Sequence, residues 1–262
     1  MTVATGRVRV KSVALPTEHG GWGFVAEPLI LGLLVAPTWP GLALGVAAFG
    51  VFLIQHPLLL TLKDWSKKKR YPRTPLAERF SLIYGGVALF GALIALLTSP
   101  HSFWPPILIA LPLALIQLTA AVRSEARALL PEWAGALALG AAAPTIALAA
   151  GWEALPAFAL WGILAARTLP SVVYVRARLR LERGTPAPIL FALLTALIGL
   201  GVVVALAATG LASPLTILGG LILLGRAALG LSPRRRTRRA QIIGVQEIGY
   251  GLLYVVLAAT GR

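Results

Sequence analysis

Residues 55–80 read QHPLLLTLKDWSKKKRYPRTPLAERF, and the order of residue types in that stretch decides the fold class. An apolar run passes through His56 and Pro57 and leaves by way of Lys63 and Asp64. Lys67, Lys68, Lys69, Arg70 and Arg73 then follow in quick succession, ahead of Thr74-Pro75-Leu76. A hydrophobic segment that ends in a dense basic turn is what a membrane protein presents at its cytoplasmic face, where Lys and Arg accumulate.

The rest of the chain repeats this alternation. Of its 262 residues 58% are hydrophobic and only 13% charged, so the solvent for most side chains is lipid. The formal charge of +15 would suggest nucleic acid in a soluble protein. Here the charges fall between apolar runs, which points to topology and anionic lipid head groups as their partners and away from nucleic acid. With no cysteine in the chain, disulfides and thiolate metal sites are excluded.

Apolar runs occur near 20–36, 39–62, 80–98, 103–122, 132–150, 154–175, 187–209, 212–231 and 241–259. Most approach the ~20 residues that a helix needs to span hydrocarbon. The expected architecture is therefore all-α and polytopic, with about nine transmembrane helices. A basic arm (1–19) precedes a single helical domain (20–259) and a short tail (260–262). Basic residues sit in the arm and after the second, fourth, sixth and eighth runs, while the intervening connections near 99–103, 151–153 and 209–213 carry none. The positive-inside rule then sets the N-terminus in the cytoplasm and the C-terminus outside, in the cell membrane.

Ionisable side chains inside apolar runs are costly and usually mark a function or a partner. Glu27 lies in the first run, eight residues after His19 and so roughly on its helical face. The functional reading of this pair, with Glu18, is substrate binding or proton transfer; the structural one pairs Glu27 with an Arg from another span. His56 can serve as a base, a ligand or a packing residue. Arg167, Ser171, Tyr174 and Arg178 form one stripe of the sixth run, and Glu247, Tyr250 and Tyr254 a similar stripe of the ninth. Glu247 is the candidate partner for a buried Arg, Arg167 or Arg226. Pro57 is followed by Lys63, Lys67 and Arg70 at the same offsets at which Pro170 is followed by Arg176, Arg180 and Arg183. The basic turns near 63–79 and 176–186 are expected to meet around one cavity.

The opening EHGGWGFVAEPLILGLL, with His19 and Glu27, resembles the YwiC-like family of integral membrane proteins, which has no assigned activity. The likeness continues through the basic turn, RTLPSVVYVRARL and the last span with Glu247. The layout also resembles the UbiA prenyltransferase superfamily, whose nine helices carry substrate-binding turns after helices two and six. RTPL, Arg73 to Leu76, is similar to the Arg-Pro-Leu after that superfamily's first aspartate motif, and Arg176 and Arg180 stand at the spacing of the second motif's aspartates. Those aspartates, which hold magnesium and through it a prenyl diphosphate, are missing here apart from Asp64. A Lys and Arg cluster repels Mg²⁺, whereas it can hold phosphate or carboxylate directly through bidentate Arg contacts.

The resemblance thus implies a UbiA-like bundle with a basic cytoplasmic cavity for an anionic isoprenoid or lipid, and metal-independent prenyl-type transfer as its chemistry. Lys63, Arg73, Arg167, Tyr174, Arg176, Arg180 and Glu247 are the expected ligand contacts, with His19, Glu27, His56 and Asp64 as catalytic candidates. No cofactor is identified: the chain lacks a magnesium-binding aspartate motif, and a haem between His19 and His56 is not expected. A proton-coupled carrier and an accessory subunit of a membrane complex are the alternatives.

Overall fold

The computed structural model describes residues 9–16 and 19–261, and of residues 19 and 20 it describes the backbone alone. All regular structure among the described residues is helical. A short α1 (Lys11–Ala14) seats Val13 and Ala14 against the next elements. It is followed by α2 (His19–Val35), α3 (Trp39–Ser66), α4 (Thr74–Thr98) and α5 (Trp104–Val122). Then come α6 (Leu129–Gly140), α7 (Ala142–Ala149), α8 (Ala154–Glu182), α9 (Ile189–Ala208), α10 (Pro214–Leu231) and α11 (Ala240–Ala259).

Eight segments are long and apolar enough to cross a membrane, with α6 and α7 together forming one of them, Leu129–Ala149. The remaining expected run is α2, whose apolar part is the shorter Gly21–Val35. Its 17 residues extend about 26 Å, less than the ~30 Å of hydrocarbon. By contrast α3, with 28 residues, and α8, with 29, extend about 42–44 Å and overhang the apolar layer.

Local chemistry explains the ends. Thr38 caps α3 by accepting from the Gly41 amide at 3.1 Å, and Ser213 caps α10 by accepting from Leu215 N–H at 3.2 Å. Prolines occupy the first turns of α3, α4, α5 and α10, where a missing N–H costs nothing. The break between α6 and α7 falls where Pro144 cannot donate to the Gly140 carbonyl, so the helix is interrupted at Ala141.

Two boundaries differ from the expected ones. Helix α4 begins at Thr74 instead of near 80, and α8 runs to Glu182 instead of 175. Lys63 and Asp64 are also helical, on α3. The basic "turns" are therefore mostly helix ends, joined by short connections at 67–73 and 183–188. Charge ends an apolar run but does not end a helix: Arg178 and Glu182, one turn apart on α8, pair at 2.8 Å and support its last turns.

Helix α8 is the hub, packed against α2, α6, α7, α9, α10 and α11. Helices α3 and α4 form a close pair in which Gly50 meets the Ala88 backbone and Gly91 meets the backbones of Ala43 and Ala47. A Cβ at either glycine would fall within 3 Å of backbone atoms, so this approach requires residues without one. Most of α4 and α5 faces outward.

Hydrogen bonds place the basic connections on one end of the bundle. Lys63 reaches Ser124, Arg176 reaches the Arg127 carbonyl, and Arg235 reaches the Leu181 carbonyl. At the other end Ser99 donates to the Ala149 carbonyl, and Gly261 lies against Ser213. The segments meeting there, 99–103, 150–153 and 209–213, contain no Lys or Arg. Charge asymmetry along the sequence is thus asymmetry between two faces of the molecule.

Candidate functional site

The most unusual chemistry lies inside the bundle. Glu27 on α2 and Arg167 on α8 are both about 2% exposed, and Arg167 Nη2 stands 2.9 Å from Glu27 Oε1. The same Nη2 donates to the backbone carbonyl of Glu247 on α11 at 2.8 Å. The Glu247 carboxylate pairs with Arg226 of α10, whose guanidinium sits 4.1 Å from the centre of the Tyr174 ring, within reach of a cation–π contact. Arg226 also approaches Ser171 at 3.5 Å and the Tyr250 ring at 5.7 Å. Below the cluster Tyr254 donates to the Ile163 carbonyl at 3.0 Å.

Four helices therefore exchange charges in a region shielded from water. The α8 stripe carries this arrangement, since Arg167, Ser171, Tyr174 and Arg178 are all buried. Gly251 lets α11 come close: a Cβ there would run into Glu27 Oε1 and Arg167 Nη2. Unpaired ions of this kind would be expelled from an apolar interior, so pairing is a condition of their being here. The pairing is incomplete in hydrogen bonds. Among the described residues, neither Glu27 oxygen has an aligned donor, and Nε of both Arg167 and Arg226 is buried without an acceptor. Arg167, Ser171, Arg226 and Tyr254 line a crevice between α8, α9 and α10, whose other walls include Ala196, Gly199 and Gly220.

The remaining candidates are dispersed. His19 starts α2, and its side chain lies outside the described residues, as does Glu18. His56 is half-buried on α3, and its Nε2 is 3.1 Å from the Ser12 carbonyl, holding the α1 segment. Asp64 is buried at the end of α3 and accepts from Arg73 Nη2 at 2.8 Å and Thr74 Oγ1 at 2.7 Å, closing the connection to α4. The Asp64 carboxylate, hydrogen-bonded to the Arg73 guanidinium, pushes the pKa of Arg73 up from its ordinary value. Arg176 is taken by Glu132 at 2.7 Å, and Arg180 projects from α8 into solvent.

The helices that carry Lys63 and Arg176, expected to bring their turns around one cavity, do not pack substantially on each other. Helix α3 packs on α1, α2, α4, α5 and α7, and α8 is not among its substantial neighbours. Both residues instead reach the segment between α5 and α6, Lys63 at Ser124 and Arg176 at Arg127 and Glu132. Sequence reasoning placed Arg167 inside the bundle and gave Glu247 a buried Arg as partner, Arg167 or Arg226, while also counting Arg226 among the basic residues of the eighth run and its loop; the Glu247 carboxylate, itself half-buried, meets Arg226. The signal for a buried Arg226 was present: it is flanked by apolar residues in LLGRAALG, five positions before α10 ends.

These features belong to an integral membrane protein built from apolar helices. No curated protein and no solved structure matches the chain. The family model described as YwiC-like protein matches residues 15–147. That match takes in Glu27, His56, Asp64 and Arg73 and covers just over half of the 262 residues, so the chain belongs to the YwiC-like family.

Proposed function

We propose that this protein binds an amphiphile whose head group is a phosphate or carboxylate, either a membrane lipid or an isoprenoid. One observation carries the reading: Arg167 and Arg226 line the same crevice, each with a buried Nε that has no acceptor among the described residues. A buried donor left unmet costs about 1–3 kcal/mol, and an oxyanion entering the crevice would offset both costs. The crevice as it stands holds no more than about one water, so a hydrocarbon chain would enter only by parting α9 and α10, whose apolar residues Ala196, Gly199, Leu200, Val203, Gly220 and Leu223 form its walls. Lys63, Arg73, Arg176 and Arg180 lie at the basic end of the bundle, whose positive potential would draw anions toward it. With that end in the cytoplasm, the N-terminus is inside and the C-terminus outside.

The overhanging α3 and α8, second and sixth of the nine apolar segments, support the likeness to the UbiA layout. If chemistry takes place, transfer of a prenyl or alkyl group is the class this layout favours. Charge leaving on phosphate would then be neutralised by guanidinium groups instead of Mg²⁺. A second reading, a proton-coupled carrier, is favoured by Glu27, a carboxylate within the apolar region whose Oε2 lacks a donor among the described residues.

Native mass spectrometry of the purified protein tests the first reading by showing whether an anionic amphiphile is retained. Titration in nanodiscs follows, with farnesyl phosphate and phosphatidic acid as separate arms and farnesol and phosphatidylcholine as neutral controls. Saturable binding of the anionic probes, unchanged by EDTA, is expected. Arg226→Gln should weaken it roughly tenfold to a hundredfold, the loss of one charged hydrogen bond. Binding that strictly requires Mg²⁺, or that does not distinguish the anionic probes from the neutral ones, would remove the reading.

A further inference from the structure

We infer that capture of an anion in this crevice is coupled to the uptake of one proton by Glu27, an inference that rests on the binding reading above. Arg167, Arg226, Glu27 and Glu247 together are neutral and largely buried. An anion added to them would leave one negative charge uncompensated where water cannot screen it. The set returns to neutrality when one carboxylate is protonated.

Geometry selects Glu27 over Glu247. The Glu247 carboxylate is engaged by Arg226 and is the more exposed of the two. Glu27 faces Arg167 without an aligned hydrogen bond, and its Oε2 has no donor among the described residues. Its environment has been assembled from several helices. Arg167 faces it from α8, Arg226 acts on it from α10, and Glu247 and Tyr254 act from α11. Helices α3, α6 and α7 also pack on α2, and no charge from them acts on Glu27 among the described residues. His19 lies two turns earlier on the same helix, its side chain outside the described residues.

Protonation of Glu27 would not release Arg167. The Glu247 carbonyl still holds Nη2 at 2.8 Å, so the guanidinium stays in place and its charge becomes available to the incoming anion. The proton comes from bulk water and no bond of the ligand changes.

The test is isothermal titration of the protein in nanodiscs with hexadecyl sulfonate, a probe whose charge is constant across the pH range used. Titrations at one pH in two buffers of different ionisation enthalpy count the protons taken up. The wild type is expected to take up about one proton per sulfonate bound, and its Kd to rise about tenfold per pH unit on the alkaline side of the Glu27 titration. Glu27→Gln, which mimics the protonated side chain, should bind without proton uptake and with a Kd independent of pH. Binding by the wild type without proton uptake, or uptake that persists in Glu27→Gln, overturns the coupling and leaves the binding reading intact. Absence of saturable binding by the wild type at every pH overturns both. The wild-type measurement decides even where a variant fails to fold.

Discussion

Gly251 of α11 lies so close to Glu27 of α2 that no other residue type fits between them without moving the ion pair. The buried charges are thus held by backbone proximity as well as by each other. Replacing Gly251 with Ala should destabilise the protein by about 1–3 kcal/mol through overpacking. Gly249→Ala, two residues away with open space around it, should leave stability nearly unchanged. Thermal unfolding of both variants in the same detergent checks the difference; equal midpoints would refute the close approach.

Breaking the Glu27–Arg167 pair from one side should cost more than removing it whole. Arg167→Met alone leaves a buried carboxylate and is expected to destabilise by about 3–5 kcal/mol. The double variant Glu27→Leu with Arg167→Met should recover much of that loss. A double-mutant cycle measured by unfolding gives the coupling directly. Additive effects would mean that the two side chains do not interact in the membrane.

Asp64 fastens the start of α4 to the end of α3. Asp64→Ala removes the acceptor for Arg73 and Thr74, and charged hydrogen bonds of this kind contribute about 1.5–3 kcal/mol each. The connection at 67–73 should then open more often. Limited trypsin digestion is expected to cut faster after Lys67 to Arg73 in the variant, with no change after Arg183. Unchanged digestion would show that Asp64 does not restrain the connection.

Orientation is read with reporters. A fusion after Arg239 should report the cytoplasm, because Arg and Lys crowd this end of the bundle, and a fusion at Arg262 the outside, because α11 lies between the two points. Both fusions on one side would mean that α11 does not cross.

Hydropathy alone located the membrane segments, since lipid-facing length is a property of each run by itself. Spacing along α8 showed that Arg167, Ser171, Tyr174 and Arg178 share a face, and all four are buried. Which acid meets which Arg was legible only in part: an Arg from another span was expected for Glu27, and Arg167 or Arg226 for Glu247, but spacing along one helix cannot choose between partners on different helices. Equal offsets from Pro57 and Pro170 suggested that the turns of Lys63 and Arg176 meet. Such offsets give height along a helix and say nothing about lateral neighbours. The segment between α5 and α6 receives both side chains instead.

The separation of Glu27 from Arg167 also governs how the chain is made. Glu27 leaves the ribosome 140 residues before its partner. During that interval α2, already too short to span comfortably, carries an uncompensated acid that costs about 2.5–3.5 kcal/mol at the centre of a membrane helix. Its seat in the bilayer becomes favourable only once α8 emerges and brings Arg167. The first segment is therefore expected to settle only after α8 has emerged, and a nascent chain truncated ahead of Arg167 should release it from the membrane.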